Sequence, residues 1–194
     1  VISLIGAVPL AMMSAFPSYL DALFEIVSGF TTTGATCIND IDGLTHGIKF
    51  WRSVLQWMGG LGIVVFSIAL IPSYEMRNNS IFSAEVPGVE MDKLRPRIAS
   101  TARRLLLIYL TLSLACALAY WAGPMNLFDA VCHSMTTIAT GGFSTHTESI
   151  AYFHSTYLEY VAPLFMILSG VNFSLYYYMT IRRPQVLFRN EEFR

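Results

Sequence analysis

Four stretches of the chain, 1–20, 53–74, 105–128 and 160–181, contain no Asp, Glu, Lys or Arg. Each approaches the roughly 20 residues that a helix needs to cross a hydrocarbon layer of about 30 Å. The pattern predicts four membrane-spanning helices. A large soluble protein can also bury an apolar helix, but four such runs in one short chain argue against that reading. The first run has no basic start and no small-residue cleavage motif, so it reads as a span and not as a signal peptide.

The polar connections sort by side. Segment 75–104 holds Arg77, Lys93, Arg95, Arg97, Arg103 and Arg104, and the tail after Ile181 holds Arg182, Arg183, Arg189 and Arg194. The connections 21–52 and 129–159 carry only Lys49 and Arg52 as basic residues, against Asp21, Glu25, Asp40, Asp42, Asp129, Glu148 and Glu159. The positive-inside rule places 75–104 and the tail in the cytoplasm, and the other two connections outside. Those outer connections contain apolar stretches, 26–39 and 130–147, too short to cross and return as two helices. Apolar runs of about 10–14 residues suit re-entrant segments. Irregular backbone persists at membrane depth only where protein or a water-filled path surrounds it. Each connection is therefore expected to dip in as a short helix and return as extended chain, a pore-loop shape.

The two halves match each other. Residues 18–72 lie over 126–180 without a gap, at a constant shift of 108, with the identities Asp21/Asp129, Ala22/Ala130, Thr32/Thr140, Gly34/Gly142, His46/His154, Met58/Met166 and Gly62/Gly170. Ser18-x-x-Asp21 and Asn126-x-x-Asp129 superpose as helix N-caps with an acidic residue at the third helical position. Each precedes about ten helix-compatible residues and then a Thr/Gly segment, 31–36 or 139–144. Glycine frees backbone carbonyls for orientations a side chain would forbid. Threonine stiffens its own χ1 and adds a hydroxyl. Rings of such carbonyls can replace the hydration shell of a monovalent cation, and the C-terminal end of a short helix adds negative potential towards it.

Composition supports the same class. Apolar residues make up 54% of the 194 and charged residues 13%, and the mean hydropathy is +0.52; a soluble domain carries about a quarter charged. That balance excludes disorder, a collagen-like chain and a nucleic-acid binder with a basic face. Cys37, Cys116 and Cys132 are too few and too scattered for a disulfide framework or a zinc site. The lack of an initiator Met and the abrupt stop at Arg194 suggest a piece of a longer membrane protein.

Longer motifs carry a resemblance. Ser28-Gly29-Phe30-Thr31-Thr32-Thr33-Gly34-Ala35-Thr36, Phe50-Trp51-Arg52 and Gln56-Trp57-Met58-Gly59-Gly60-Leu61-Gly62 resemble the first repeat of the Trk/Ktr-type potassium uptake proteins. Arg95-Pro96-Arg97-Ile98-Ala99, the run Thr137-Ile138-Ala139-Thr140-Gly141-Gly142-Phe143-Ser144-Thr145-His146, and Val171-Asn172-Phe173-Ser174 resemble its cytoplasmic loop, second filter and following helix. The resemblance implies an all-α membrane protein of potassium-channel-like repeats, each a helix, a re-entrant pore helix with its filter loop, and a second helix. It implies four repeats around one central filter, of which two are present. The first would span 1–74, with an incomplete opening helix, and 75–104 would be the cytoplasmic connection. The second would span 105–181, and 182–194 would begin the next segment. Potassium would be the ion. Its ligands would be mainly main-chain carbonyls at Thr32, Thr33, Gly34, Thr140, Gly141 and Gly142, and glycine at both Gly34 and Gly142 leans towards potassium over sodium. Permeation would be passive, with the gate on the cytoplasmic side. The resemblance also implies a bacterial inner membrane, a homodimer of the full-length protein, and a cytoplasmic nucleotide-binding regulatory subunit docking near 75–104 and the basic tail.

Other residues invite other readings. Gly59-Gly60-Leu61-Gly62 looks like a nucleotide loop but lies in an apolar span with no strand before it, so close helix packing or room beside the pore fits better; Gly170 shares that reading. Pro163 is expected to kink its helix. His133, His146 and His154 lack the spacing of metal ligands on one helix face. Glu25, an intramembrane carboxylate, is a functional candidate, but its counterpart is His133, which argues against a role common to both repeats. Arg52 reads as an anchor at the outer interface. Ser144 near His146 suggests an intramembrane serine hydrolase, but Ser144 aligns with Thr36, which has no neighbouring His. An inverted-repeat secondary transporter would place equivalent segments on opposite sides of the membrane, whereas both loops here face outward. Two copies of a two-loop chain could also close one four-part filter.

Overall fold

A computed structural model describes residues 2–12, 16–79 and 94–171, with side chains over 3–12, 16–62 and 102–171. It is helical, with no strand among the described residues. In chain order the helices are α1 (Ile2–Met12), α2 (Tyr19–Phe30), α3 (His46–Asn79), α4 (Leu94–Trp121), α5 (Leu127–Ile138) and α6 (Thr156–Gly170), with a 3-10 turn at Ser149–Phe153 before α6. Two compact units share these elements. One joins Val1–Leu61 with Thr111–Val171; the other joins Gly62–Leu110 with Asn172–Arg194. All the residues of the candidate site belong to the first. The described part of the second consists of the C-terminal part of α3 and the N-terminal part of α4.

The short helices start where the sequence caps them. Ser18 has extended backbone angles, and its hydroxyl oxygen accepts the Asp21 N–H at 3.2 Å. Asn126 does the same for the Asp129 N–H at 2.8 Å. Both acidic side chains accept a bond from their cap, from the Ser18 hydroxyl and the Asn126 amide at 2.8 Å each, and lie in the first turn, where they face the positive end of the helix dipole. The first apolar run is divided: α1 ends at Met12, and the Phe16-Pro17-Ser18 bend leads into α2. The run 105–128 is divided too, because Gly123 and Pro124 follow the end of α4 at Trp121. By contrast, α3 starts at His46, upstream of its charge-free run, and takes Lys49 and Arg52 into the helix. The helix α6 continues through Pro163 to Gly170, and residues 172–181 of the run lie outside the described residues.

Among the described residues one stretch, Ala102–Trp121, is long and apolar enough to cross a membrane; Ser3–Met12 is apolar but shorter. Within the first unit, Ala7 and Leu10 of α1 pack with Phe16, with Ala22 and Ile26 of α2, and with Leu55 of α3 in one buried cluster. Tyr19 donates to the Leu4 carbonyl at 2.9 Å, and the Trp51 indole donates to the Gly6 carbonyl at 3.3 Å. Tyr157 of α6 donates to the Ala119 carbonyl of α4, and Tyr120 meets Thr137 of α5. The opposite faces are apolar and open: Leu114, Leu118 and Trp121 form an exposed stripe on α4, as do Tyr160, Leu164 and Ile167 on α6. In water such stripes would be costly; against lipid tails they need no cover.

Candidate functional site

Helices α2 and α5 both end in a Thr/Gly loop, and the two loops share their left-handed positions. Thr32 and Thr140 both have φ of 54°, and Gly34 and Gly142 have φ of 77° and 79°. The positions differ by the same 108 residues that relate the sequence repeats. Helix ends match as well. The N–H groups of Thr31, Thr32 and Thr33 bond the carbonyls of Val27, Gly29 and Ser28, and those of Ala139, Thr140 and Gly141 bond the equivalent carbonyls of Met135, Thr137 and Thr136. A β-branched residue with left-handed φ is rare and strained, yet it recurs at both threonines. Left-handed residues alternating with other conformations turn successive carbonyls to one side of the chain, and glycine does this at little steric cost.

Gly34 has a second constraint: a Cβ there would run into the Gly141 carbonyl oxygen. The two loops thus touch, backbone to backbone. Gly142 has open space at the same position. A cavity of about 500 Å³ borders the second loop, lined by His133, Thr136, Thr140, Gly141, Gly142 and Ser149 among others. The six sequence-predicted positions Thr32, Thr33, Gly34, Thr140, Gly141 and Gly142 therefore lie in two adjoining loops of matching conformation.

What holds these loops was only partly visible in the sequence. Behind the first loop, Glu25 is fully buried and Arg52 almost so. They form an ion pair of 2.6 Å, and the Thr36 hydroxyl sits at 2.9 and 3.0 Å from the two carboxylate oxygens. Arg52 also donates to the Ser144 carbonyl at 3.3 Å and stacks 4.3 Å above the Phe143 ring. Its expected place at the outer interface is therefore corrected: a guanidinium with a buried carboxylate, a carbonyl and a ring for partners has no need of headgroups or water. Sequence reasoning also set Glu25 and His133 apart because their chemistry differs. Yet His133 bonds Ser144 at 3.1 Å, and Ser144 is the counterpart of Thr36. In both repeats a polar residue of the short helix holds the hydroxyl two residues beyond the glycine, so the position does have a common role.

Ser144 pairs its hydroxyl with the His133 ring and not with that of its sequence neighbour His146. Its hydroxyl oxygen accepts the backbone N–H of His146 at 3.0 Å, while the His146 ring turns to Asp42 and Asp129 at 2.6 and 3.2 Å. Each ring nitrogen faces an acceptor, and the ring stacks on Tyr152 at 3.6 Å. With the Thr147 N–H on Asp42 and the Ile41 N–H on the Thr147 hydroxyl, this cluster ties the segments that follow the two loops. The His146 ring and the Thr147 amide hold the Asp42 carboxyl down at about 2. No group of three His, Cys, Asp or Glu side chains fit for a metal ion occurs among the described residues.

The glycine-rich stretch of α3 divides in two. A Cβ at Gly59 would strike the Phe30 carbonyl at the end of α2, so close packing explains Gly59; Gly62 and Gly170 meet nothing within 4 Å. Gln56 is fully buried, and its Oε1 accepts the Phe143 N–H at 3.0 Å. Lys49, Arg52, Ser53 and Gln56 recur at helical spacing in a span otherwise apolar, and that stripe was the signal for a polar contact.

Tandem units of helix, capped short helix, Thr/Gly loop and helix define a class, the pore-loop membrane proteins built like potassium channels. The chain belongs to the TrkH family of cation transport proteins, which it matches over residues 1–192. It is similar to the Trk system potassium uptake protein TrkH of Escherichia coli K12, 45% identical over 198 residues, all of this chain and 41% of that protein. It is also similar to TrkG of the same strain, 43% identical over 99% of this chain and 40% of the other. Among solved structures, the crystal structure of the potassium transporter TrkH from Vibrio parahaemolyticus matches with a TM-score of 0.82 and 38% identity, over all of this chain and 39% of that one. The chain thus spans about two fifths of the length of these relatives.

Proposed function

We propose that the protein containing this chain takes up potassium across a bacterial inner membrane, and that its two Thr/Gly loops form part of the selectivity filter. The observation that carries this reading is the repeated left-handed backbone at Thr32 and Gly34 and at Thr140 and Gly142. Two adjoining loops of that shape supply main-chain carbonyls at Thr32, Thr33, Gly34, Thr140, Gly141 and Gly142, the hard oxygen ligands that a monovalent cation accepts in place of water. The short helices α2 and α5 end at these loops, so their negative dipole ends add to the attraction. The names of the relatives, potassium uptake proteins, support potassium as the ion. The role we infer is transport and not catalysis: Ser144 and its counterpart Thr36 are each held by a side chain of the short helix, Thr36 by Glu25 and Ser144 by His133, so the repeat explains the hydroxyl without a reaction.

In this reading 1–74 and 105–181 are two pore-loop repeats joined by a cytoplasmic connection at 75–104, with 182–194 leading to the next segment. Two further repeats complete the filter, the full-length protein pairs as a homodimer, and a cytoplasmic nucleotide-binding subunit regulates it at the basic segments. Permeation is passive and runs down the electrochemical gradient. The test is ion uptake by the full-length protein in a host lacking its own potassium uptake, with Gly34→Ser and Gly142→Ser beside the wild type. Sodium flux raised relative to potassium flux in either variant is the expected result. Unchanged flux ratios in both would sink the filter assignment and leave the loops as ordinary turns.

A further inference from the structure

We propose that Gln56 is a positioning residue for the second loop and sets its preference for potassium over sodium. The inference rests on the filter reading above. Gln56 belongs to the first repeat, yet its amide lies over the second: a Cβ at Gly141 would collide with the Gln56 side chain, and Gln56 Oε1 accepts the Phe143 N–H at 3.0 Å.

The consequence follows from peptide geometry. In a trans peptide the N–H and the C=O of the same unit point in opposite directions. The Phe143 N–H shares its peptide plane with the Gly142 carbonyl. Fixing that N–H towards α3 therefore turns the Gly142 carbonyl away from α3. Gly142 does not hold this plane by packing, since it has no side chain, a φ of 79° and nothing within 4 Å of the place a Cβ would take.

The other end of the amide points to the same role. Gln56 Nε2 is buried and has no hydrogen-bond partner. The opposite amide orientation would set the NH2 group against the Phe143 N–H, donor against donor. A buried donor without a partner is a defect in stability, and an apolar residue of similar size would remove it. The second repeat carries an apolar residue, Leu164, at the aligned position, although there it is exposed. The acceptor for Phe143 accounts for a glutamine at 56. The first loop is held differently, by the Ser28 hydroxyl donating to the Ala35 carbonyl at 2.6 Å. Only a well-held carbonyl keeps the ligand number and field strength on which discrimination between potassium and sodium depends.

The test uses the full-length protein in membrane vesicles, with potassium and sodium fluxes measured in the same preparation. Gln56→Met and Gln56→Leu lack the acceptor; Gln56→Glu keeps an oxygen acceptor for the Phe143 N–H. The potassium-to-sodium flux ratio should fall about fivefold in Met and Leu, the scale of one net hydrogen bond, and stay within about twofold of wild type in Glu. The ratio is independent of how much protein reaches the membrane, so a merely structural role would lower both fluxes and leave it unmoved. An unchanged ratio in Met and Leu, or a fall in Glu as large as theirs, overturns the inference. Gly142→Ser in the same vesicles separates the two failures. If it shifts the ratio and Gln56→Met and Gln56→Leu do not, the role of Gln56 is wrong. If none of the variants shifts it, the filter reading falls with it.

Discussion

Removing either partner of the Glu25–Arg52 pair should damage the protein more than removing both. The side chains are 0% and 1% exposed and 2.6 Å apart. Glu25→Ala leaves a guanidinium buried with only the Ser144 carbonyl, the Thr36 hydroxyl and the Phe143 face as partners. An uncompensated buried charge costs about 3–5 kcal/mol, a large share of the roughly 5–15 kcal/mol that holds a typical domain together. Arg52→Met strands the carboxylate, though less severely, because the Thr36 hydroxyl and the Cys37 N–H still reach it. In the double variant Glu25→Gln/Arg52→Met no charge is stranded and much of the volume is kept, so the loss should shrink to about 1–2 kcal/mol, the scale of broken neutral hydrogen bonds. A double-mutant cycle among Glu25→Gln, Arg52→Met and their combination should give a coupling of roughly 2 kcal/mol. Thermal unfolding of the purified full-length protein in detergent, followed by size-exclusion monodispersity, supplies the four stabilities. Additive losses, with coupling below about 0.5 kcal/mol, would refute the buried-pair argument and return Arg52 to the membrane surface.

Other outcomes follow from the same geometry. Gly34→Ala should disturb transport more than Gly142→Ala, since it adds a collision with the Gly141 carbonyl to a left-handed strain of about 1–2 kcal/mol that both share; equal effects in an uptake assay would contradict the contact between the loops. Asp42 has its carboxyl held below the ordinary 3.8, at about 2, by His146 and Thr147. Its contribution to stability is therefore complete above pH 3.8 and disappears as pH falls through about 2. The stability gap between wild type and Asp42→Asn should accordingly close as pH falls from about 4 towards 2, and a gap unchanged down to pH 2 would exclude the contact. Ser144→Ala should retain measurable potassium uptake, because it removes a hydrogen bond to His133 and no reacting group; complete loss in a folded, membrane-inserted variant would reopen the hydrolase reading.

The internal match of the sequence proved a good guide to backbone and a poor one to side-chain roles. The caps at Ser18 and Asn126 and the left-handed residues of the two loops, Thr32 with Thr140 and Gly34 with Gly142, repeat at a shift of 108, because caps and φ angles depend on a few adjacent residues. Glu25 and His133 looked unrelated since residue type was compared and not position. Both point from a short helix at a hydroxyl, and a carboxylate and an imidazole each accept such a bond. Arg52 and Gln56 were harder. Position 52 lies near the predicted outer edge of a span, where an arginine usually reaches water. Its partners are 27 and 92 residues away in sequence, and no local pattern announces them.

Alternating hydrophobic runs, the side bias of Lys and Arg and the Thr/Gly segments determined by themselves that the chain is helical, enters a membrane and carries two equivalent loops. These properties depend on transfer from water to lipid and on the dihedral preferences of single residues, both of which are local. The tertiary structure decided that Gly34 lies against Gly141, that Arg52 reaches across to Ser144, and that Gln56 of one repeat holds Phe143 of the other. Contacts of that kind depend on which helix faces meet, and a buried polar group takes whatever partner the packing brings within reach.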